Sequence, residues 1–191
     1  SQITRGDYDD AAPAWSPDGK TLAFVSNRSA DRERHQYRDD LWLVSAQGGK
    51  PQRIATPLGF KLAPTWSPDG KRIAYFGVDS GADPWMPHNF RLWVVSRKGG
   101  DARNLTGALD RTVGNATIPD TREAPESAPI WSADGRRIFI IVSDTGSVHL
   151  YAVDVKSAKM TLLVGGARVV SAVSADAASR RFALLIGEPT R

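Results

Sequence analysis

The chain has 191 residues, of which 41% are hydrophobic and 24% charged, a composition typical of a globular domain and not of a disordered segment. The apolar stretch at 138–142 spans five residues, whereas a membrane-spanning helix needs about 20, so the sequence predicts no membrane segment. The net charge of +4 comes from basic residues that stand singly or in pairs beside turns, which indicates solvated hairpin ends and no nucleic-acid interface.

A repeat organises the chain, with copies APAWSPDGKTLAFVS at 12–26, APTWSPDGKRIAYFG at 63–77 and APIWSADGRRIFIIV at 128–142. Its Asp and Gly predict a tight turn in which Asp accepts backbone N–H groups and Gly takes a positive φ. Alternation after the turn predicts a strand with one buried face. We interpret Trp15, Trp66 and Trp131 as packing anchors between units, with ligand stacking as the alternative. A degraded fourth copy places Val173 in the Trp position.

Each copy is followed by a third strand pattern, a tight turn and a fourth strand pattern, and no segment has a sustained helical period. Four-stranded units of this spacing predict an all-β fold, a β-propeller fragment of antiparallel four-stranded blades that covers 1–191. We assign blades to 12–56, 63–106 and 128–164, the first half of a further blade to 169–187, and the last strand of a preceding blade to 1–5. The chain thus holds about three and a half blades of a larger ring, and its open blade edges predict self-association.

The WSPDG turn followed by a buried strand resembles the propeller repeat shared by the Tol-system periplasmic propellers and the prolyl oligopeptidase family of serine peptidases. Segments 105–154 and 165–191 are similar to later blades of the acylaminoacyl-peptidase and dipeptidyl-peptidase branch of that family. The resemblance implies a noncatalytic propeller segment that gates or orients short peptide substrates for a separate α/β-hydrolase domain of the same parent, which carries a Ser-Asp-His triad. A noncatalytic Tol-type propeller that binds partner proteins is the alternative.

The sequence offers no catalytic constellation of its own. It lacks G-x-S-x-G, since GVDSG at 77–81 places Ser80 one position too late, and its three histidines fall in different blades. There are no cysteines, the acidic DYDD segment at 7–10 lacks the rest of a calcium loop, and the Gly-Gly pairs are explained as hairpin turns. We therefore expect no metal and no cofactor, a peptide and the hydrolase domain as partners, and neither nucleic acid nor membrane. The N-terminal residues show no targeting signal, and the sequence leaves the compartment open, with the cytoplasm favoured over the periplasm or secretion.

Three long insertions, at 27–40, 77–90 and 107–127, interrupt the regular hairpins. In an antiparallel blade the loops between second and third strands and the links between blades lie on one face, so we expect these insertions to share a face. A solvated charge run and loops folded on their own aromatics are the alternative interpretation. The candidates for contact with substrate or partner are Arg32, Arg34, His35, Tyr37, Arg38, Trp85, His88 and Phe90.

Overall fold

The protein is described by a computed structural model that covers residues 2–78, 88–117 and 127–188. All regular structure in these ranges is β-strand, as the sequence predicts. No helix in the described ranges is long and apolar enough to span a bilayer. The fourteen strands are β1 Asp10–Trp15, β2 Thr21–Ser26, β3 Asp40–Ser45, β4 Gln52–Ile54, β5 Lys61–Trp66, β6 Arg72–Gly77, β7 Arg91–Ser96, β8 Arg103–Asn104, β9 Ile130–Trp131, β10 Arg137–Asp144, β11 Ser147–Asp154, β12 Met160–Val164, β13 Val169–Ala175 and β14 Phe182–Gly187.

Consecutive strands pair antiparallel and build the blades of a partial β-propeller. The first blade has the order β1-β2-β3-β4 and the second the order β5-β6-β7-β8. The third contains β9 to β12, and β13 joins its edge through the parallel pair Val148 and Val169. This joint was not predicted. It forms because β12 pairs with β11 only from Leu150 onward, which leaves the Val148 amide to donate to Arg168 O at 3.0 Å.

The WSPDG turns follow the predicted chemistry. In the first, Ser16 Oγ donates to Asp18 Oδ1 at 2.6 Å, the Lys20 amide donates to the same oxygen, and Gly19 has φ 66°. The second and third turns repeat this arrangement, and Ala133 in place of Pro does not alter it. The turn that departs most from the pattern, at 176–181, keeps the same backbone bonds.

The placement of Val173 in the Trp position is wrong. In the third unit, Trp131 directly before the turn pairs with Ile138 after it. In the fourth unit the equivalent pair is Ala175 with Phe182, so Ala175 occupies the Trp position. The alignment from sequence was shifted by two residues because Asp176 occupies the position of the turn serine. Ser179, with φ 55°, occupies the position of the glycine. The fourth unit therefore has no anchor tryptophan.

The apolar core lies between blades, where the faces of neighbouring sheets meet. One layer joins blades one and two, a second joins blades two and three, and a third joins blade three to β13 and β14. The expectation of one buried face per second strand is wrong for β2, β6 and β10, because each is covered on both sides. In β6, Ile73 and Tyr75 face blade one, whereas Ala74 and Phe76 face blade three.

The anchor role of the tryptophans is confirmed for two of the three. Trp66 is 8% exposed and donates from Nε1 to Ala14 O of blade one at 3.0 Å. Trp131 is equally buried and donates to Thr65 O of blade two at 3.3 Å. Trp15 is 56% exposed because no blade of the described chain packs over its ring, although Ile3 packs on the same side of blade one against Leu22, Phe24 and Val44. Residues 2–5 form no strand, since no neighbouring strand pairs with them, so their assignment to a preceding blade stays a prediction.

Candidate functional site

The described parts of the long insertions lie together on one face, which confirms the predicted parity for those residues. The Tyr37 ring is 6.0 Å from the Phe60 ring, and Phe60 is 5.9 Å from Phe90. Phe90 in turn bonds the link to blade three, because its amide donates to Thr112 Oγ1 at 3.0 Å and its carbonyl accepts from the Val113 amide at 3.1 Å. We call this set, Tyr37, Phe60, Phe90 and the stretch 109–113, the loop face.

The insertion at 27–40 is a compact turn structure held by its own backbone. Asn27 Nδ2 donates to His35 O at 2.7 Å, and the amides of Arg34 and His35 both donate to Asp31 O. The His35 ring also lies 3.2 Å from an Asp31 carboxylate oxygen. The loop therefore presents its side chains from a defined backbone.

A second cluster fastens this insertion to the N-terminal segment. The Arg28 guanidinium lies over the rings of Tyr8, Phe24 and Trp42, at 4.7, 5.3 and 5.3 Å from their centroids. It also donates to both carboxylate oxygens of Asp10, at 2.8 and 2.7 Å. Partial burial works to raise the pKa of Asp10, but the hydrogen bonds to the carboxylate and the Arg28 charge bring it below its ordinary value.

The sequence-predicted residues separate into two groups in the structure. Tyr37 and Phe90 meet through Phe60 in the loop face, whereas Arg32 turns toward the N-terminal segment, 3.4 Å from Asp7 and 5.3 Å from the Tyr8 ring. Of the remaining candidates, Arg34 and His88 are exposed, His35 and Arg38 are half-buried, and Trp85 lies outside the described residues. The seven candidates within the described residues therefore do not form a single pocket.

Relatives with peptidase names cover most of the chain. The family model "Dipeptidyl peptidase IV (DPP IV) N-terminal region" matches residues 16–78. Dipeptidyl-peptidase 5 of Porphyromonas gingivalis is 21% identical over 155 residues, which are 80% of this chain and 20% of that protein. "Uncharacterized peptidase YuxL" of Bacillus subtilis is 39% identical over 71 residues, 37% of this chain and 10% of that protein. These matches support the resemblance of the chain to a propeller fragment of prolyl oligopeptidase family peptidases.

Solved structures agree on the fold of this propeller segment. A Mycobacterium tuberculosis puromycin-hydrolyzing peptidase matches 94% of the segment with a TM-score of 0.68 and 18% identity, over 28% of its own length. TolB from Acinetobacter baumannii matches 93% with a TM-score of 0.62 and 19% identity, over 37% of its length. The segment thus spans about a tenth to a fifth of the curated relatives named above and about a third of these two structures.

Sequence reasoning missed Lys61, a buried lysine directly beneath the loop face. Its side chain is 2% exposed, and Nζ donates to Asp39 O at 2.6 Å, Pro57 O at 2.7 Å and Gly59 O at 3.1 Å. These carbonyls belong to the end of the 27–40 insertion and to the link before β5. Lys61 therefore fastens the insertion to the neighbouring blade.

Burial sets the charge behaviour of this lysine. Loss of solvation lowers the pKa of Lys61 to about 8, although the nearby carboxylates of Asp40 and Asp39 act in the opposite direction. Burial also raises the pKa of Asp39, whose carboxylate accepts a hydrogen bond from the Lys61 amide at 3.3 Å. A lysine at the start of a strand gives no sequence signal of such burial, because its carbonyl partners come from two separate loops.

The described residues form no metal centre and no cluster of histidines. No group of three or more histidine or acidic side chains within 2–78, 88–117 and 127–188 is arranged to hold a metal ion. His149 Nε2 lies 3.0 Å from Gly166 O in blade three, and His35 is in blade one beside Asp31. The described part of the loop face presents aromatic rings over a backbone that hydrogen bonds hold in place.

Proposed function

We propose that the chain is the noncatalytic propeller segment of a serine peptidase, in which the loop face restricts or orients short peptides for a separate α/β-hydrolase domain. The observation that carries this proposal is the likeness to dipeptidyl peptidases over most of the chain, at a small share of their length. An acyl-transfer enzyme needs an activated nucleophile with an oriented base, and the sequence supplies neither. The reacting groups would then belong to the part of the parent that this chain does not include.

The geometry of the loop face supports a role in substrate selection. Tyr37 is 40% exposed and rests on Phe60, which in turn touches Phe90, so an aromatic surface reaches solvent from a fixed base. Lys61 holds the backbone under these rings at three points. Rings on a rigid base can stack on peptide side chains with little loss of conformational entropy.

The test uses the full-length parent protein and blocked peptides of increasing length. In the double variant Tyr37→Ala/Phe60→Ala we expect kcat/KM for peptides of six or more residues to change about tenfold relative to dipeptide substrates. Gln47→Ala, in an exposed turn of the opposite face, is the control and should leave the length dependence as it is. An identical length profile for the double variant and the parent would refute the selection role.

The isolated 191-residue chain should not hydrolyse peptide anilides. Purified chain incubated with dipeptide anilides and an organophosphonate should show neither turnover nor a labelled serine, because no triad is present in its sequence. Sequencing the parent gene beyond Arg191 is the companion experiment, and we expect G-x-S-x-G followed by Asp and His. Labelling of a serine of this chain, with turnover, would contradict the proposal.

A Tol-type propeller that binds partner proteins is the second candidate, supported by the likeness in fold to TolB from Acinetobacter baumannii. The two candidates differ in what lies elsewhere in the parent. A parent without a nucleophile motif, which binds a protein partner and loses that binding in the Tyr37→Ala/Phe60→Ala variant, would favour the second.

A further inference from the structure

A groove lies between blades one and two on the face opposite the loop face. We call this opposite face the tight-turn face, because it carries the short turns that join first to second and third to fourth strands. Its volume is about 400 Å³, and its walls come from β2, β3 and β4 of blade one and from the turn after β7 of blade two. Three of its lining side chains are cationic, and most of the others can donate hydrogen bonds. The lining residues are Thr21, Leu43, Val44, Ser45, Lys50, Gln52, Arg97 and Lys98.

The corresponding place between blades two and three is closed by an arginine. Arg103 Nη1 donates to Val155 O at 2.9 Å, and its Nη2 donates to Lys156 O at 3.1 Å. Strand register identifies the equivalent of Arg103 in blade one as Gln52, since Gln52 pairs with Leu43 and Arg103 pairs with Val94 at matching places. The groove exists where the repeat carries a shorter, neutral side chain.

The carbonyls that Arg103 covers also have equivalents in the groove. The Arg97 amide donates to Lys71 O in blade two, and the Val155 amide donates to Arg136 O in blade three. Lys71 and Arg136 each follow the glycine of the repeat turn. Arg97 and Lys98 are therefore the structural equivalents of Val155 and Lys156. Arg103 closes this part of the junction between blades two and three. The equivalent part of the junction between blades one and two is open and lined by cations.

One of the cations has a defined position. The Arg97 guanidinium lies 5.3 Å from the Trp66 ring centroid and 3.4 Å from Thr21 Oγ1. Lys50 and Lys98 are exposed and rise from the two turns that flank the opening. Of the described residues, no Asp or Glu lines the groove. Asp18 feels the Arg97 charge, but its pKa is lowered chiefly by the hydrogen bond from Ser16, and it is not a lining residue.

We propose that this groove binds carboxylate side chains of an acidic peptide segment, with Lys50, Arg97 and Lys98 as the cations that receive them. Charge complementarity supports this ligand, because three cations with hydroxyl and amide donors and without a lining carboxylate favour an anion. The volume suits one or two side chains. This site is on the face opposite the proposed substrate-selecting surface, so it does not depend on the function proposed above.

The experiment measures binding of a blocked triglutamate peptide to the 191-residue chain by calorimetry at low salt. We expect binding that weakens with added salt, no binding of blocked triglutamine, and about a tenfold loss of affinity in Lys50→Gln/Lys98→Gln. Lys159→Gln, which removes one exposed charge from blade three, is the matched control and should keep the affinity within about twofold.

The variant Gln52→Arg distinguishes binding of the peptide in the groove from general electrostatic attraction to a basic protein. The new arginine should donate to the carbonyls of Arg97 and Lys98 as Arg103 does in the next junction, fill the groove and weaken triglutamate binding about tenfold, although it adds a positive charge. Equal or tighter binding by Gln52→Arg would overturn the proposal, as would an equal loss in Lys159→Gln. Tighter binding of inorganic phosphate than of triglutamate at the same ionic strength would overturn the assignment to carboxylates.

Discussion

Replacing Trp66 with alanine should lower the free energy of unfolding by about 3–5 kcal/mol. Trp66 is 8% exposed between blades one and two, and its indole N–H donates to Ala14 O at 3.0 Å. The Arg97 guanidinium lies 5.3 Å from the centroid of the indole ring. Alanine would leave a cavity in the interblade layer and an unsatisfied carbonyl on β1. Urea denaturation followed by circular dichroism measures the loss.

Trp15→Ala is the matched control, because Trp15 stands at the same position of the same turn in blade one. Its indole is 56% exposed, so its removal should cost no more than about 1 kcal/mol. Trp66→Phe keeps most of the volume but removes the N–H donor, and we expect a loss of about 1–2 kcal/mol from the unpaired Ala14 carbonyl and the smaller ring. If Trp15→Ala and Trp66→Ala lowered the free energy of unfolding equally, the interblade contact would not be the source of the stabilisation by Trp66.

Replacing Lys61 with methionine should cost about 3 kcal/mol at pH 7.5. Methionine fills a similar volume but leaves the carbonyls of Asp39, Pro57 and Gly59 without the donor that now serves all three, at roughly 1 kcal/mol each. Lys159→Met removes an exposed charge and should change stability by less than about 0.5 kcal/mol. A Lys61→Met variant as stable as the parent would show that the three bonds contribute nothing net.

The difference in unfolding free energy between the parent and Lys61→Met should depend on pH, and the sign of this dependence follows from the pKa of Lys61. The pKa of Lys61 is about 8 in the folded chain against 10.5 for an unperturbed lysine. Between these values the unfolded chain binds a proton that the folded chain has released, so the stability of the parent relative to Lys61→Met should rise with pH, by at most about 1.4 kcal/mol per pH unit. Below about pH 7 the lysine is protonated in both states, and the difference should be flat. Denaturation midpoints of both proteins at pH 7, 8, 9 and 9.5 test this, and a difference that falls with pH would contradict the assignment.

The strand plan of this protein could be predicted from the sequence because its signals are local. A Ser and an Asp two residues apart, followed by Gly, specify a turn through hydrogen bonds within six residues, and apolar side chains on either side of it indicate the paired strands. The repeat then identified the blades, since four short strands cannot bury their apolar faces alone. The common face of the long loops followed from strand parity. The Val173 error arose where the local signal was degraded and Asp176 had taken the place of the turn serine.

What only the tertiary structure decided are contacts between blades, because they join residues far apart in the chain. Trp15 and Trp66 share one motif, yet only Trp66 has a neighbouring blade over its ring. Phe60 links Tyr37 to Phe90 although neither insertion contains it. Lys61 is buried because carbonyls from two separate loops converge on its ammonium group. By itself the sequence determined which strands and turns form, since those interactions are short in range, whereas the packing of one blade on the next determined which side chains became anchors, clamps or groove walls.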